Sequence, residues 1–161
     1  MPRKPIEART GPKRGGGATR VAGSTTGRQR ASIQRLLLKM LPKGAVVRFR
    51  KNGLVPAYAW KNEDGRPEIL TPKAACNRST AILAHEVAHV LLKHIQETNQ
   101  TPSWLAEYEA EVVSLALCEA LGEVPSKTVV KEAKAYVRRC MRHESIKLTD
   151  APAHVQKWLK S

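Results

Sequence analysis

Five residues, His85-Glu86-Val87-Ala88-His89, constrain this chain more than any other stretch, because their spacing acquires chemical meaning only on a helix. In an HExxH pattern the two histidines stand at i and i+4 and stack on one helix face. Two imidazole nitrogens can then converge on one tetrahedral metal at about 2.0–2.1 Å. Glu86 follows His85 by about 100° of helical rotation, which brings its carboxylate within reach of a water on that metal.

The flanking residues predict the helix. Asn77 and Ser79 are candidate N-caps, and Ile82, Leu83, Val87, Val90 and Leu91 recur at helical spacing up to about Gln96. These apolar residues share one broad arc, and His85, Glu86, His89, Lys93 and Gln96 take the rest. The histidines are therefore expected on a polar face lining a cleft. The competing reading is a fortuitous polar face.

A zinc site of this type needs a third protein ligand. A metzincin would continue HExxHxxGxxH, but Leu92 and Ile95 stand where glycine and the third histidine belong. His94 falls about 140° round from His89, on the apolar side, and reads as a packed or helix-terminal histidine. The next helix offers carboxylates. Thr101-Pro102 reads as an N-cap and first-turn proline, and the pattern runs through Trp104 to Leu121, where Gly122 stops it. On its helical wheel Glu109 lies among Leu105, Val112, Val113, Ala116 and Ala120, whereas Glu107 and Glu111 lie opposite with Ser114. A carboxylate in an apolar face is costly unless paired or metal-bound. Glu109 is accordingly the expected third ligand. Glu107 and Glu111 are expected to be solvated, or one of them to orient a histidine.

The pair HEVAHVLLKH (85–94) and EYEAEVVSLALCEALG (107–122) resembles the ImmA/IrrE family of zinc metallopeptidases, a gluzincin-like group. The resemblance covers roughly residues 66–122. It implies His85, His89 and the glutamate before Ala110, Glu109, as zinc ligands and Glu86 as the base. The chain departs from the family after Ala110, where Glu111-Val112-Val113-Ser114 replaces the usual continuation and Ala120-Leu121-Gly122 ends the element. That suggests a divergent branch of phage, plasmid or actinobacterial type.

Composition adds a basic tail. The chain has 161 residues and a formal net charge of +14. Half of that charge lies in residues 1–30, where Arg3, Lys4, Arg9, Lys13, Arg14, Arg20, Arg28 and Arg30 face Glu7 alone. Glycine-rich and poor in large apolar residues, this segment is expected to be disordered. It suits non-specific contact with nucleic acid or another acidic surface. With no aromatic residue, it is not expected to read single strands. No apolar run approaches a membrane span of about 18 residues, and Cys76, Cys118 and Cys140 lack the pairing of a disulfide framework or CxxC site. A cytoplasmic location follows as an expectation.

The remainder reads as scaffold. Ile33, Leu36, Leu37, Met40 and Leu41 trace an amphipathic helix stopped by Pro42. Val46–Arg50 and Leu54–Trp60 read as strands joined by a hairpin at Asn52-Gly53, with Pro56 implying an edge or bulge. Asn62-Glu63-Asp64-Gly65 turns into a third strand, Glu68–Thr71. Val129, Ala133, Val137 and Cys140 form an apolar stripe from Ser126 to about His143, and Val155, Trp158 and Leu159 close the chain.

The expected fold is therefore α+β. A basic tail (1–30) precedes one zincin-like domain (31–161) with a small three-stranded antiparallel sheet on the HExxH helix. The expected function is Zn2+-dependent hydrolysis of a protein or peptide substrate. Glu86 is the base, and Tyr58, Tyr108, Tyr136 and His143 are unranked oxyanion donors. The alternative is a nucleic-acid-associated, antirestriction or phage accessory module with little or no peptidase activity. A purely structural zinc site is a third possibility, disfavoured by the retained Glu86.

Overall fold

The computed structural model describes residues 25–50 and 56–161. The chain is α+β, with five α-helices and a three-stranded mixed sheet. Most of the expected tail lies outside the described residues, as does the Asn52-Gly53 turn. Residues 25–30 do not continue a tail. Helix α1 (Gly27–Lys39) begins there, closed by a capping box in which Thr26 Oγ1 accepts from Gln29 N–H and Gln29 Oε1 accepts from Thr26 N–H. Arg30 is tied down further: its guanidinium makes three hydrogen bonds of 3.1–3.2 Å to the buried Glu123 carboxylate. Asn77 Nδ2 donates to the same carboxylate at 2.8 Å.

The sheet corrects two expectations. Strands β1 (Val46–Arg50) and β2 (Tyr58–Lys61) are not partners, because β3 (Pro67–Pro72) lies between them. β1 runs parallel to β3, with Val46 opposite Glu68 and Arg50 opposite Pro72. β2 runs antiparallel to it, with Tyr58 opposite Leu70 and Lys61 opposite Pro67. The sheet is mixed, not wholly antiparallel. Burial explains the order. Ile69 and Thr71 are fully buried and Glu68 nearly so, and a strand covered on both faces belongs at the centre. The β2–β3 connection is the Asn62–Gly65 turn, where Asn62 Oδ1 accepts from Asp64 and Arg66 N–H and Gly65 takes φ 72°.

Helices α2 (Asn77–Leu91) and α3 (Ser103–Ala120) pack on each other, and α2 also covers the sheet. Two apolar clusters flank this pair. One joins Ile33 and Leu37 of α1, Ile69 of β3, and Leu83, Val87 and Val90 of α2. The other joins Trp104 and Tyr108 of α3 to Val137, Cys140 and Met141 of α4 (Lys127–His143) and Val155 and Leu159 of α5 (Ala153–Lys160). Each fully buried Leu, Ile or Val contributes about 1.5–3 kcal/mol. Ser126 caps α4 by accepting from Val129 N–H at 3.2 Å. The expected stripe of Val129, Ala133, Val137 and Cys140 is buried throughout.

Three helices end alike. After α2, α3 and α4, the residue following the C-cap is left-handed: Lys93 (φ 61°), Gly122 (φ 89°) and Ser145 (φ 60°). In each case the next N–H bonds back five residues, from His94 to His89, Glu123 to Cys118 and Ile146 to Met141. This is the Schellman arrangement. It halts α2 at Leu91, short of Gln96, and folds the chain back at His94.

Candidate metal centre

The two motif histidines converge from one face of α2. Their Nε2 atoms are 3.0 Å apart, and their rings stand edge to face at 4.7 Å between centroids. The carboxylate that meets them is Glu107, not Glu109. Glu107 Oε2 lies 3.2 Å from His85 Nε2 and 3.4 Å from His89 Nε2. A tetrahedral ion with bonds of about 2.0–2.1 Å holds its ligand atoms about 3.3–3.4 Å apart. His85, His89 and Glu107 thus form a group that could hold a metal ion.

The buried polar atoms support that fit. Glu107 Oε2 has no hydrogen-bond partner despite being buried, and an orphaned buried acceptor is costly. One proton can bridge only one of the three pairs of atoms, whereas a cation satisfies all three at once. Burial works against ionisation of Glu107, but the close approach of the His85 and His89 imidazoles prevails and holds its carboxyl well below the usual carboxylate range. Burial likewise pulls His85 down, and Glu107 and Glu111 more than reverse this, so its pKa lies well above the ordinary histidine value.

Why Glu107 rather than Glu109? The apolar arc of α3 is not the face that meets the α2 histidines: Leu105 and Val112 pack against the second cluster instead. Ala116 and Ala120 are exposed, and the Glu109 side chain retains 41% of its accessible surface. The inner face carries Tyr108, Ala110, Ser114 and Cys118, with Glu107 and Glu111 half-buried beside it. A helix that is apolar almost all round does not declare its orientation through its apolar stripe. The polar side turns inward because the histidines of α2 receive it. Cys118, on the same side of the helix as Glu107 and Glu111, is buried for the same reason, and burial raises its thiol pKa to about 12.

The other two glutamates address the histidines from behind. Glu111 Oε1 lies 3.6 Å from His85 Nδ1. Glu109 Oε2 is 2.9 Å from His94 Nε2, and His94 Nδ1 is 3.1 Å from His89 Nδ1. Both motif histidines therefore have a carboxylate on the side away from the candidate metal, one directly and one through a second imidazole. Sequence reading missed the role of His94 because it extended α2 past Leu91. The Schellman turn at Lys93 swings His94 back to His89.

Glu86 is 5% exposed, and burial, reinforced by Glu107 and Glu111 against the opposing effect of His85, raises its pKa to about 8. Among the four candidate oxyanion donors the structure brings one to the site. The Tyr136 ring of α4 faces His85 edge-on at 6.1 Å. Burial, with Glu107 and Glu86 nearby, keeps its phenol protonated far above the usual range. Tyr108 packs against Trp158 and His154, Tyr58 stacks on Trp60 at the sheet edge, and His143 is exposed at the end of α4. Arg139, which sequence reading did not single out, sets its guanidinium 5.1 Å over the Tyr136 ring, with its Nε buried and unpartnered.

Comparison of the chain with protein-family models, with characterised proteins and with solved structures yields no match. Among the described residues no helix is long and apolar enough to cross a membrane.

Proposed function

We propose that the chain is a zinc metallopeptidase acting on a protein or peptide substrate, with His85, His89 and Glu107 as ligands and Glu86 as the base. The observation that carries this reading is the convergence of three ligand atoms at 3.0–3.4 Å beside a buried glutamate with a raised pKa. Two histidines from an HExxH helix and one carboxylate from the next helix suit catalytic zinc, which keeps a fourth position open. Zinc held there would supply Lewis-acid polarisation of the scissile carbonyl and activation of a water near neutral pH. Glu86 takes the proton of the attacking water and passes it to the leaving amine, a task suited to a carboxyl tuned towards neutrality. Tyr136 donates a hydrogen bond to the oxyanion as it develops.

Kinship with the ImmA/IrrE peptidases belongs to this proposal and rests on the two motifs. The ligand then stands two residues before the one that the resemblance implies. The competing reading, a nucleic-acid-associated module without peptidase activity, is favoured by the chain's formal net charge of +14. The buried Glu86 favours the enzyme, since a binding module has no use for a base there.

The test compares the purified protein with Glu86→Gln and Glu107→Ala, measuring bound metal by mass spectrometry and cleavage of a peptide library. The expected result is zinc retained but cleavage lost in Glu86→Gln, and both lost in Glu107→Ala. Cleavage persisting in Glu86→Gln would rule out the mechanism. Iron in place of zinc would point to the other chemistry of a two-histidine, one-carboxylate set.

A further inference from the structure

Helix α4 presents two opposed faces. Tyr136 and Arg139 belong to the side that meets the candidate metal centre. On the other side Lys127, Lys131, Lys134, Arg138 and Arg142 follow one another at spacings of three or four residues. At 100° per residue they fall within an arc of about 80°, about 22 Å long. Four of the five are exposed, and Lys134 is half-buried. No acid shares the arc. Glu132, the one acidic residue of the helix, lies on another face and pairs with Arg78 at 3.1 Å. The end of α5 widens the ridge: Lys134 Nζ donates to Ser161 Oγ at 3.0 Å and Arg138 to the Leu159 carbonyl at 2.6 Å. The exposed Lys157 and Lys160 belong to this same helix end.

We propose that this ridge binds the phosphate backbone of duplex nucleic acid. Neighbouring like charges on a helix repel one another and destabilise it, so an ordinary solvated face mixes signs. Five cations in one row with no acidic partner among the described residues are relieved by an external polyanion. A lipid surface is a poor fit, because a membrane-binding helix must offer its apolar face to the bilayer. The apolar face of α4 is committed to the core through Val129, Ala133, Val137, Cys140 and Met141. The α4 arc carries no aromatic side chain, and the Trp158 ring of α5 beside it is half-buried under Lys134, whose Nζ stands 5.6 Å from its centroid, which argues for backbone contact without base reading. Tyr136 stands about 160° round from Arg138, so a nucleic acid on the ridge leaves the metal centre open. This assignment is independent of the peptidase reading and of residues 1–24.

The experiment uses the full chain and labelled duplexes of roughly 20 base pairs, about two helical turns, as DNA and as RNA. Binding is followed by anisotropy across a salt series. The test variant combines Lys127→Gln, Lys131→Gln and Arg142→Gln, sparing Arg138 because it holds Leu159. The control combines Arg28→Gln, Arg35→Gln and Lys39→Gln on exposed positions of α1. Circular dichroism and thermal melting establish that both variants fold. Three lost phosphate contacts should lower the slope of log affinity against log salt by about 2–3, with the control retaining most of the slope. Equal loss in both variants, or an unchanged slope in the ridge variant, would overturn the proposal. So would displacement of the duplex by polyglutamate at equal charge, which would mark an acidic protein as the partner. DNA and RNA binding alike support backbone recognition, and preference for one names the source.

Discussion

His94 Nε2 lies 2.9 Å from Glu109 Oε2, and through this contact a carboxylate on α3 sets the orientation of a histidine on α2. The donor directions are fixed once His89 presents the Nε2 lone pair to a metal. Its Nδ1–H must then donate to His94 Nδ1, and His94 must carry its own proton on Nε2 and donate to Glu109. Partners of this kind fix the tautomer and raise the basicity of the ligand. Replacing His94 or Glu109 by alanine is therefore expected to weaken zinc binding about 10–100-fold with the fold retained. Glu107→Ala should do more damage. Chelator competition gives all three affinities, and equal loss in Glu107→Ala and Glu109→Ala would contradict the assignment of Glu107.

Metal binding should compete with protons. Without metal, His85 has a pKa well above the ordinary value and Glu86 is raised to about 8. Both groups thus bind protons more tightly in the folded chain than in the unfolded one. Their stabilisation is fully present below the unfolded values and is lost as pH rises through the folded ones. The metal-free protein should accordingly melt at a lower temperature as pH rises from the ordinary carboxyl value towards about 8. Zinc should reverse the trend, because its ligands must be deprotonated and acid weakens their hold. Thermal melts with chelator and with zinc across that range check both signs. In chelator, Glu86→Gln should flatten the slope.

Much of this architecture is legible in the sequence because it rests on local rules. The histidine spacing places the metal face on α2, Ser126 starts α4, Gly122 ends α3, and the stripe of Val129, Ala133 and Val137 is the inner side of its helix. What the sequence does not disclose is non-local. β3 enters between β1 and β2 because it is buried on one face through Ile69 and Thr71 and on the other at Glu68, which no turn signal announces. Glu107 outranks Glu109 because α3 turns its polar side inward, and the apolar arc of Ala116 and Ala120 points the other way. Composition places Arg30 in a tail, but its partner Glu123 stands 93 residues later.

That Arg30–Glu123 pair yields a stability test. Glu123 is 1% exposed and receives hydrogen bonds from both Arg30 and Asn77. Removing one partner of a buried ion pair leaves the other charge uncompensated, at a cost of about 3–5 kcal/mol. Asn77 remains in Arg30→Ala, so the lower end of that range, about 3 kcal/mol, is expected. Urea denaturation measures it. A loss under about 1 kcal/mol would show that the pair behaves as a surface contact.

Lys93 offers the converse case, a substitution expected to stabilise. It occupies the left-handed position of the Schellman turn after α2, at φ 61°, where an L-residue other than glycine pays about 1–2 kcal/mol. Glycine removes that strain but loses more conformational entropy on folding, about 0.5–1 kcal/mol. Lys93→Gly should therefore raise stability by roughly 0.5–1 kcal/mol. Lys93→Val should lower it, since a β-branched residue fits this region worst. The turn also delivers His94 to His89 through the His94 N–H to His89 carbonyl bond of 2.9 Å. The glycine variant should thus keep its zinc affinity, whereas the valine variant should lose affinity together with stability. If the two quantities vary independently in this pair, the turn is not what positions His94.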